Sequence, residues 1–248
     1  MKVAVVQYDI VWESPTLNKP KIMELLKPIE GEKIDWLIFP EATLTGFSMN
    51  ADKTEVSDAD IDFFKDIAET FECNVTFGAF KDRKNFLFTF SPSGKIINDY
   101  AKMHLFSYAG EHAVYKPGPG QRLLKILDFN IIPSICYDLR FSYLYWDKAV
   151  DSDVFLVSAN WPETRREHWL TLLKARAIEN QCFVIGVNRI GKDPKASYSG
   201  DSVVVDPFGR IILDCGKREG VFKAELEKAL VANVREMYPF INDRIKKS

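Results

Sequence analysis

The chain has 248 residues, enough to bury a substantial core, and an ordinary globular composition with 46% hydrophobic and 27% charged residues. Its 33 Lys and Arg residues nearly balance its 35 Asp and Glu residues, so charge gives no reason to expect nucleic acid or an anionic membrane as a partner. No apolar stretch approaches a membrane span, and the first residues turn polar too soon for a signal peptide. We therefore expect a soluble, cytoplasmic protein.

The cysteines and histidines predict neither a disulfide framework nor a metal site. The four cysteines are widely spaced and form no C-x-x-C pair. The three histidines form no H-x-x-x-H and do not pair with cysteines at zinc-finger spacing. We expect no metal and no cofactor.

Short apolar runs rich in Val, Ile and Phe predict buried strands, at residues 2–7, 35–39, 75–80, 86–90, 131–136, 154–158 and 183–187. Amphipathic patterns predict one helix opened by a capping box at 57–60 and a second helix over 168–180. SPSG at 91–94 and DPFG at 206–209 predict hairpin turns. This mixture of βα alternation and antiparallel pairs indicates a layered α/β fold with mixed sheets. No repeat or linker interrupts it, so we expect a single domain over 1–248.

Three predicted strands end in a side chain that can react. DWLIFPE ends at Glu41, KIINDYAK at Lys102 and IIPSIC at Cys136. Because α/β folds bind ligands at the carboxyl ends of strands, a carboxylate, an amine and a thiol could meet above one sheet. The carboxylate would take the thiol proton, the thiol would attack a carbonyl or nitrile carbon, and the ammonium would stabilise the oxyanion. The backbone N–H of Tyr137 would assist the ammonium.

Each of these residues also has a structural interpretation. A lone cysteine is most often a buried core thiol, a lone glutamate can serve a helix N-terminus, and a lone lysine is usually solvated. A second nucleophilic arrangement pairs Cys136 with a histidine base, chosen from His104, His112 and His168. Spacing along the chain does not refute either alternative.

Four motifs taken together resemble the carbon–nitrogen hydrolase (nitrilase) superfamily nearly from end to end. They are FPEATLTGF, YAKMHLF, AGEHAVYKPG and ICYDLRF. The resemblance implies that Glu41, Lys102 and Cys136 are catalytic and that Glu111 is a second, supporting glutamate. It also implies a four-layer α-β-β-α sandwich with mixed sheets, and a homodimer or higher homo-oligomer.

Within the superfamily, SANWPETRREHWLTLLKARAIENQCFVIGVNRIG and YSGDSVVVDPFGRII are most similar to omega-amidases. That resemblance implies hydrolysis of the terminal amide of 2-oxo acid monoamides, such as 2-oxoglutaramate and 2-oxosuccinamate, to the dicarboxylic acid and ammonia. Carbamoyl amines, aliphatic amides and nitriles are substrates of relatives with the same motifs, so they remain alternatives. A catalytically silent binding module is a third.

An omega-amidase must hold a free carboxylate away from the scissile amide, and arginine suits that task. The candidates are Arg140, which lies near the nucleophile in sequence, Arg165 and Arg166. A structural salt bridge is the alternative for Arg140, and a solvated helix start for the other two. Phe47 and Trp161 are expected to wall the pocket.

Overall fold

The computed structural model describes residues 1–245. The strands in this part of the chain are β1 (Lys2–Gln7), β2 (Trp36–Ile38), β3 (Asn74–Lys81), β4 (Lys84–Phe90), β5 (Ile96–Ala101), β6 (Leu124–Ile126), β7 (Phe129–Ile135), β8 (Val154–Ala159), β9 (Phe183–Asn188), β10 (Ile190–Lys192), β11 (Ser197–Ser199), β12 (Val203–Val205), β13 (Ile211–Asp214) and β14 (Gly220–Glu225). The helices are α1 (Pro15–Leu26), α2 (Ala51–Thr54), α3 (Asp58–Thr70), α4 (Glu111–Val114), α5 (Tyr143–Trp146), α6 (Arg166–Asn180) and α7 (Lys228–Met237). None of the helices described in residues 1–245 has both the length and the apolar character that crossing a bilayer requires.

Two six-stranded mixed sheets form the centre of the molecule. The first has the order β14-β1-β2-β3-β4-β5, and the second has the order β13-β12-β9-β8-β7-β6. In each sheet the three strands joined by helical connections, β1-β2-β3 and β7-β8-β9, are parallel. The other strands are antiparallel to their neighbours. A separate two-stranded ribbon, β10-β11, leaves the end of β9. The prediction of mixed sheets is confirmed.

The sheets and helices stack in four layers. Buried residues of α1 and α3, including Phe64, pack on one face of the first sheet, where Phe64 stacks on Phe77 with ring centroids 3.9 Å apart. The opposite face of that sheet packs against the second sheet through residues such as Ile38. Trp169 and other residues of α6 cover the outer face of the second sheet. The predicted α-β-β-α order is therefore confirmed.

The predicted elements agree with the structure apart from small differences at their ends. Ser57 and Asp60 form the expected capping box at the start of α3. The helix predicted from residue 168 begins two residues earlier, at Arg166. The strand predicted over 131–136 ends at Ile135, because Cys136 has a left-handed backbone with φ of 45° and begins a 3-10 helix.

The sequence patterns missed α1, β14 and α7. Helix α1 has a weak apolar face and an internal Pro20, so its periodicity was not evident. Strand β14 is a half-exposed edge strand that pairs with β1 across the whole chain. Pairing at that distance is set by tertiary structure and leaves little local signal.

Candidate active site

Glu41 follows β2 in a tight turn and is completely buried. The next residue, Ala42, has a left-handed φ of 48°. Strand β3 runs close beside this turn: a Cβ on Gly78 would lie 2.5 Å from Ala42 N and 2.6 Å from Glu41 Cα. Only glycine leaves room for β3 to approach the turn this closely, so Gly78 determines the position of the Glu41 backbone relative to β3.

Lys102 follows β5 and lies between two carboxylates. Its Nζ is 3.0 Å from Glu41 Oε1 and 3.0 Å from Glu111 Oε2, and all three side chains are at most 1% exposed. Burial by itself lowers the pKa of Lys102, but Glu111 and Glu41 outweigh it and raise that pKa above its usual range. The lysine is therefore an ammonium group held between two buried carboxylates.

Glu111 is held from two directions at the start of the short helix α4. Its Oε2 accepts a hydrogen bond of 2.6 Å from the backbone N–H of Phe106, and its Oε1 accepts one of 3.0 Å from Nδ2 of Asn85. The same Asn85 Nδ2 donates to Glu41 Oε1 at 2.8 Å. Asn85 thus connects the two glutamates that flank Lys102.

Cys136 begins the 3-10 helix after β7. Its φ of 45° is an uncommon conformation for a residue with a side chain, and strain of this kind collects at functional sites. Burial, then the charge of Glu41, raises the pKa of the Cys136 thiol well above its ordinary value, although Lys102 opposes the shift. This shift favours the protonated thiol, and Sγ lies 3.9 Å from the backbone carbonyl oxygen of Asn160.

The N–H of Tyr137 lies in the first turn of the same helix, where backbone donors have no acceptor within the helix. A donor in that position is available to a ligand atom beside the thiol. This agrees with its predicted place next to the nucleophile.

Among residues 1–245, no histidine is hydrogen-bonded to Cys136, as the alternative with a histidine base requires. The ring of His104 is engaged by Asp138 and by the hydroxyl of Tyr143, and the ring of His168 contacts Arg140. The charge of the Glu41 carboxylate acts on the Cys136 thiol and raises its pKa, after burial the largest cause of that shift.

A pocket of about 480 Å³ opens onto Cys136 and Lys102. Its volume suits a small molecule. The predicted wall residues Phe47 and Trp161 line it, as do Tyr137 and the candidate arginines Arg140 and Arg165. The ring of Phe47 lies 5.0 Å from Lys102 Nζ. Glu41 and Glu111 lie behind this surface, fully buried.

A family model for carbon-nitrogen hydrolases matches residues 2–236. The chain belongs to the carbon-nitrogen hydrolase family. The 2-oxoglutaramate amidase of Bacillus subtilis (strain 168) is 32% identical over 97% of this chain and 96% of that protein. Omega-amidase YafV of Escherichia coli (strain K12) is 34% identical over 98% of this chain and 96% of that protein. The crystal structure of XC1258 from Xanthomonas campestris, a CN-hydrolase superfamily protein, superposes with a TM-score of 0.93 at 32% identity, over 100% of this chain and 98% of that one.

The three candidate arginines of this hydrolase have different surroundings. Arg166 makes a two-pronged ion pair with Asp201, with both N–O distances 2.9 Å, so its charge is already neutralised. Arg140 lies 4.8 Å above the ring of Trp161. Arg165 lies 5.5 Å above that of Phe106. Among residues 1–245, neither of these two arginines forms a salt bridge with a carboxylate.

Sequence reasoning missed several residues that shape the site of this hydrolase. Asn85 connects the glutamates, Gly78 admits the Glu41 turn, and the backbone N–H of Asn160 donates to Glu41 Oε2 at 2.8 Å. Asn85 directly precedes the largely apolar run FLFTF in β4, and that contrast was the available signal. No cluster of three or more His, Cys, Asp or Glu in the described part of the chain is arranged to hold a metal ion.

Proposed function

We propose that this hydrolase is an omega-amidase that releases ammonia from the terminal amide of 2-oxo acid monoamides through an acyl-enzyme on Cys136. The observation that carries the proposal is the ion-paired set of Glu41, Lys102 and Glu111 behind a pocket that Lys102 and Cys136 line together with two guanidinium groups. The names of two relatives, 2-oxoglutaramate amidase and omega-amidase, agree with it.

In the acylation half, Glu41 takes the thiol proton as Cys136 Sγ forms a bond to the amide carbon. The raised pKa of Cys136 favours this concerted transfer over a preformed thiolate. Lys102 Nζ and the Tyr137 N–H donate to the developing oxyanion. The C–N bond then breaks, the proton on Glu41 passes to the leaving nitrogen, and ammonia departs from a thioester.

In the deacylation half, the same carboxylate acts on water. Glu41 removes a proton from a water molecule that attacks the thioester carbon, and the oxyanion again receives hydrogen bonds from Lys102 and Tyr137. The C–S bond breaks, the proton on Glu41 returns to Sγ, and the dicarboxylic acid leaves. Glu111 keeps Lys102 charged and in place throughout, through its 3.0 Å ion pair.

The pocket walls account for the choice of an anionic substrate. Arg140 and Arg165 are the guanidinium groups in the pocket, and their planar faces rest on Trp161 and Phe106. Stacking holds the planes in place. Arg140 Nη2 contacts His168 Nδ1 at 3.2 Å, and the other N–H groups of the two guanidinium groups are available to a carboxylate. The substrate carboxylate therefore binds at the arginines while its amide reaches Cys136.

A substrate panel tests this function. Purified enzyme is assayed for ammonia release from 2-oxoglutaramate, a carbamoyl amine, an aliphatic amide and a nitrile. We expect the highest kcat/KM with 2-oxoglutaramate and no turnover by Cys136→Ala. Carbon dioxide appearing with the ammonia would identify a carbamoyl-amine hydrolase, and preferred turnover of the nitrile a nitrilase.

A binding module without catalysis predicts a different result. It would release no ammonia from any member of the panel, and a thiol reagent would not label Cys136 selectively at neutral pH. The other three cysteines are buried, which makes the labelling experiment specific.

We further propose that the enzyme is a cytoplasmic homodimer. The four cysteines are free thiols, in keeping with a reducing compartment. Exposed apolar side chains on α5 and α6, among them Tyr143, Trp146 and Ile178, provide a surface that a second copy could cover. Light scattering on a sizing column measures the mass, and a monomer at working concentration would contradict the dimer.

A further inference from the structure

Asn85 lies at the beginning of β4 and is completely buried among the groups of the active site. Its Nδ2 is 2.8 Å from Glu41 Oε1 and 3.0 Å from Glu111 Oε1. Its backbone carbonyl accepts a 2.8 Å hydrogen bond from the N–H of Lys102. One residue therefore contacts three of the four groups on which the proposed chemistry depends.

The orientation of this amide is fixed by its neighbours. A carboxylate oxygen only accepts hydrogen bonds, so the NH2 group of Asn85 must face Glu41 and Glu111, and each of its two protons goes to one of them. The other end of the amide, Oδ1, is buried and has no hydrogen-bond partner among the described residues. A buried carbonyl oxygen without a partner costs free energy. The benefit of asparagine at this position therefore comes from its NH2 group.

The hydrogen-bond donors around Glu41 are distributed unequally over its two carboxylate oxygens. Oε1 accepts from Asn85 Nδ2 and from Lys102 Nζ, which fills its two lone-pair directions. Oε2 accepts one hydrogen bond, from the backbone N–H of Asn160. Oε2 is therefore the oxygen with capacity left for the proton of Cys136.

We propose that Asn85 is a positioning residue, which fixes Oε2 of Glu41 as the proton acceptor for Cys136 and holds Glu41 and Glu111 around Lys102. This rests on the proposed function, because it assigns Glu41 the role of base. Asn85 suits the role because an amide donates two hydrogen bonds without adding a charge. A second cation in its place would compete with Lys102, and an apolar side chain would leave the buried Oε1 atoms of Glu41 and Glu111 each short of a donor.

The first test variant is Asn85→Leu, which keeps the approximate shape and removes both donors. We expect kcat for ammonia release to fall about 100-fold while KM changes by less than about threefold, because the substrate does not contact this residue. The fall should be the same at every pH, since leucine does not titrate. Thr89→Val is the matched control: Thr89 is buried on the same strand and bonded to Thr76, outside the site.

The second variant is Asn85→Asp, which has the same shape as the native side chain. The introduced carboxyl faces Glu41 and Glu111, which also hold the ammonium of Lys102 between them. When protonated it supplies one of the two hydrogen bonds that the native amide donates, and when ionised it repels both glutamates. We expect kcat/KM relative to wild type to rise as the pH falls, by up to about tenfold per pH unit. A purely structural role does not produce that recovery.

Alkylation of Cys136 by iodoacetamide gives a readout that needs no substrate. We expect it to slow about tenfold in Asn85→Leu and to stay within about twofold of wild type in Thr89→Val. Wild-type enzyme that releases no ammonia, combined with slow alkylation of the variant, would overturn the proposed activity and keep the role of Asn85. An active wild type with unchanged alkylation in Asn85→Leu, and a flat ratio against pH in Asn85→Asp, would overturn the role of Asn85.

Discussion

Asp138 holds His104 by two hydrogen bonds of 2.9 Å, which its Oδ1 accepts from the backbone N–H and from ring Nδ1. Because a carboxylate only accepts, Nδ1 carries a proton, and Nε2 contacts the hydroxyl of Tyr143. The second oxygen, Oδ2, accepts from the hydroxyl of Tyr100 at 2.7 Å and from the N–H of Ile135 at 3.0 Å. The carboxylate is completely buried.

This aspartate connects the two segments that bear the proposed nucleophile and the proposed oxyanion donor. Asp138 lies two residues after Cys136, and His104 lies two residues after Lys102. Asp138→Asn leaves a single acceptor oxygen for donors that approach from both sides, so we expect the free energy of unfolding to fall by about 3 kcal/mol. We expect kcat to fall about tenfold as the segments separate. Urea unfolding and steady-state assays measure the two effects.

Tyr143→Phe is the control for that prediction. It removes only the contact between the Tyr143 hydroxyl and His104, at a half-exposed side chain. The free energy of unfolding should therefore fall by less than about 1 kcal/mol. If the Asp138→Asn enzyme matches Tyr143→Phe in both stability and kcat, the hydrogen bonds of Asp138 between the two segments contribute neither to the free energy of unfolding nor to catalysis.

The protonation state of Cys136 gives a prediction about pH. Burial and the charge of Glu41 raise the thiol pKa well above its ordinary value of 9.0, so the thiol stays neutral at pH values where an exposed cysteine ionises. The ultraviolet absorbance of thiolate, measured as the difference between wild type and Cys136→Ala, should show no step for Cys136 up to pH 9.0. A thiolate step near neutral pH would mean that the nucleophile is preformed and needs no base in the first step.

Gly78 gives a prediction about the backbone below Glu41. In Gly78→Ala the new Cβ would lie 2.5 Å from Ala42 N, and backbone atoms cannot rotate away as a side chain can. We expect a loss of stability of about 1–3 kcal/mol and a fall in kcat of at least about tenfold, because the Glu41 turn must move. Thermal unfolding and ammonia release measure them.

Gly186→Ala is the matched control, since its Cβ would lie 2.4 Å from the Leu173 side chain on the outer face of the second sheet. It should lose stability while kcat of the remaining folded enzyme is preserved. Equal losses of kcat in the two variants would mean that overpacking anywhere in the sheets impairs the enzyme, and that the approach at Gly78 is not special.

The two unpaired arginines of the pocket predict how the enzyme recognises charge. We expect Arg140→Gln and Arg165→Gln, separately or together, to raise KM for 2-oxoglutaramate by about 10- to 100-fold through loss of charge-assisted hydrogen bonds. Turnover of an uncharged aliphatic amide should change by less than about threefold. Arg122→Gln, an exposed arginine paired with Asp99 away from the pocket wall, serves as the control.

The ratio of the two substrates decides that prediction. A double variant that still prefers 2-oxoglutaramate over the neutral amide as strongly as wild type does would show that the carboxylate binds elsewhere. In that case Lys195, which also lines the pocket, is the next cation to replace.

Much of the fold follows from local pattern. The predicted strands that end before Glu41, Lys102 and Cys136 are β2, β5 and β7 of the structure. The capping box at Ser57 begins α3, as expected. Burial of an apolar run and capping of a helix depend on neighbours in sequence, so their signal is complete within a few residues. That is also why the half-exposed edge strand β14 left no clear pattern.

The sequence by itself determined the family, the mixed α/β layers and which carboxylate, amine and thiol stand at strand ends. Tertiary structure alone decided which groups surround them. Asn160 reaches Glu41 across 119 positions of the chain, and Asn85 reaches it across 44. It also decided that Arg166 is bound by Asp201 while its neighbour Arg165 faces the pocket. Hydrogen bonds between such distant residues depend on how the two sheets pack, and no local periodicity encodes that geometry.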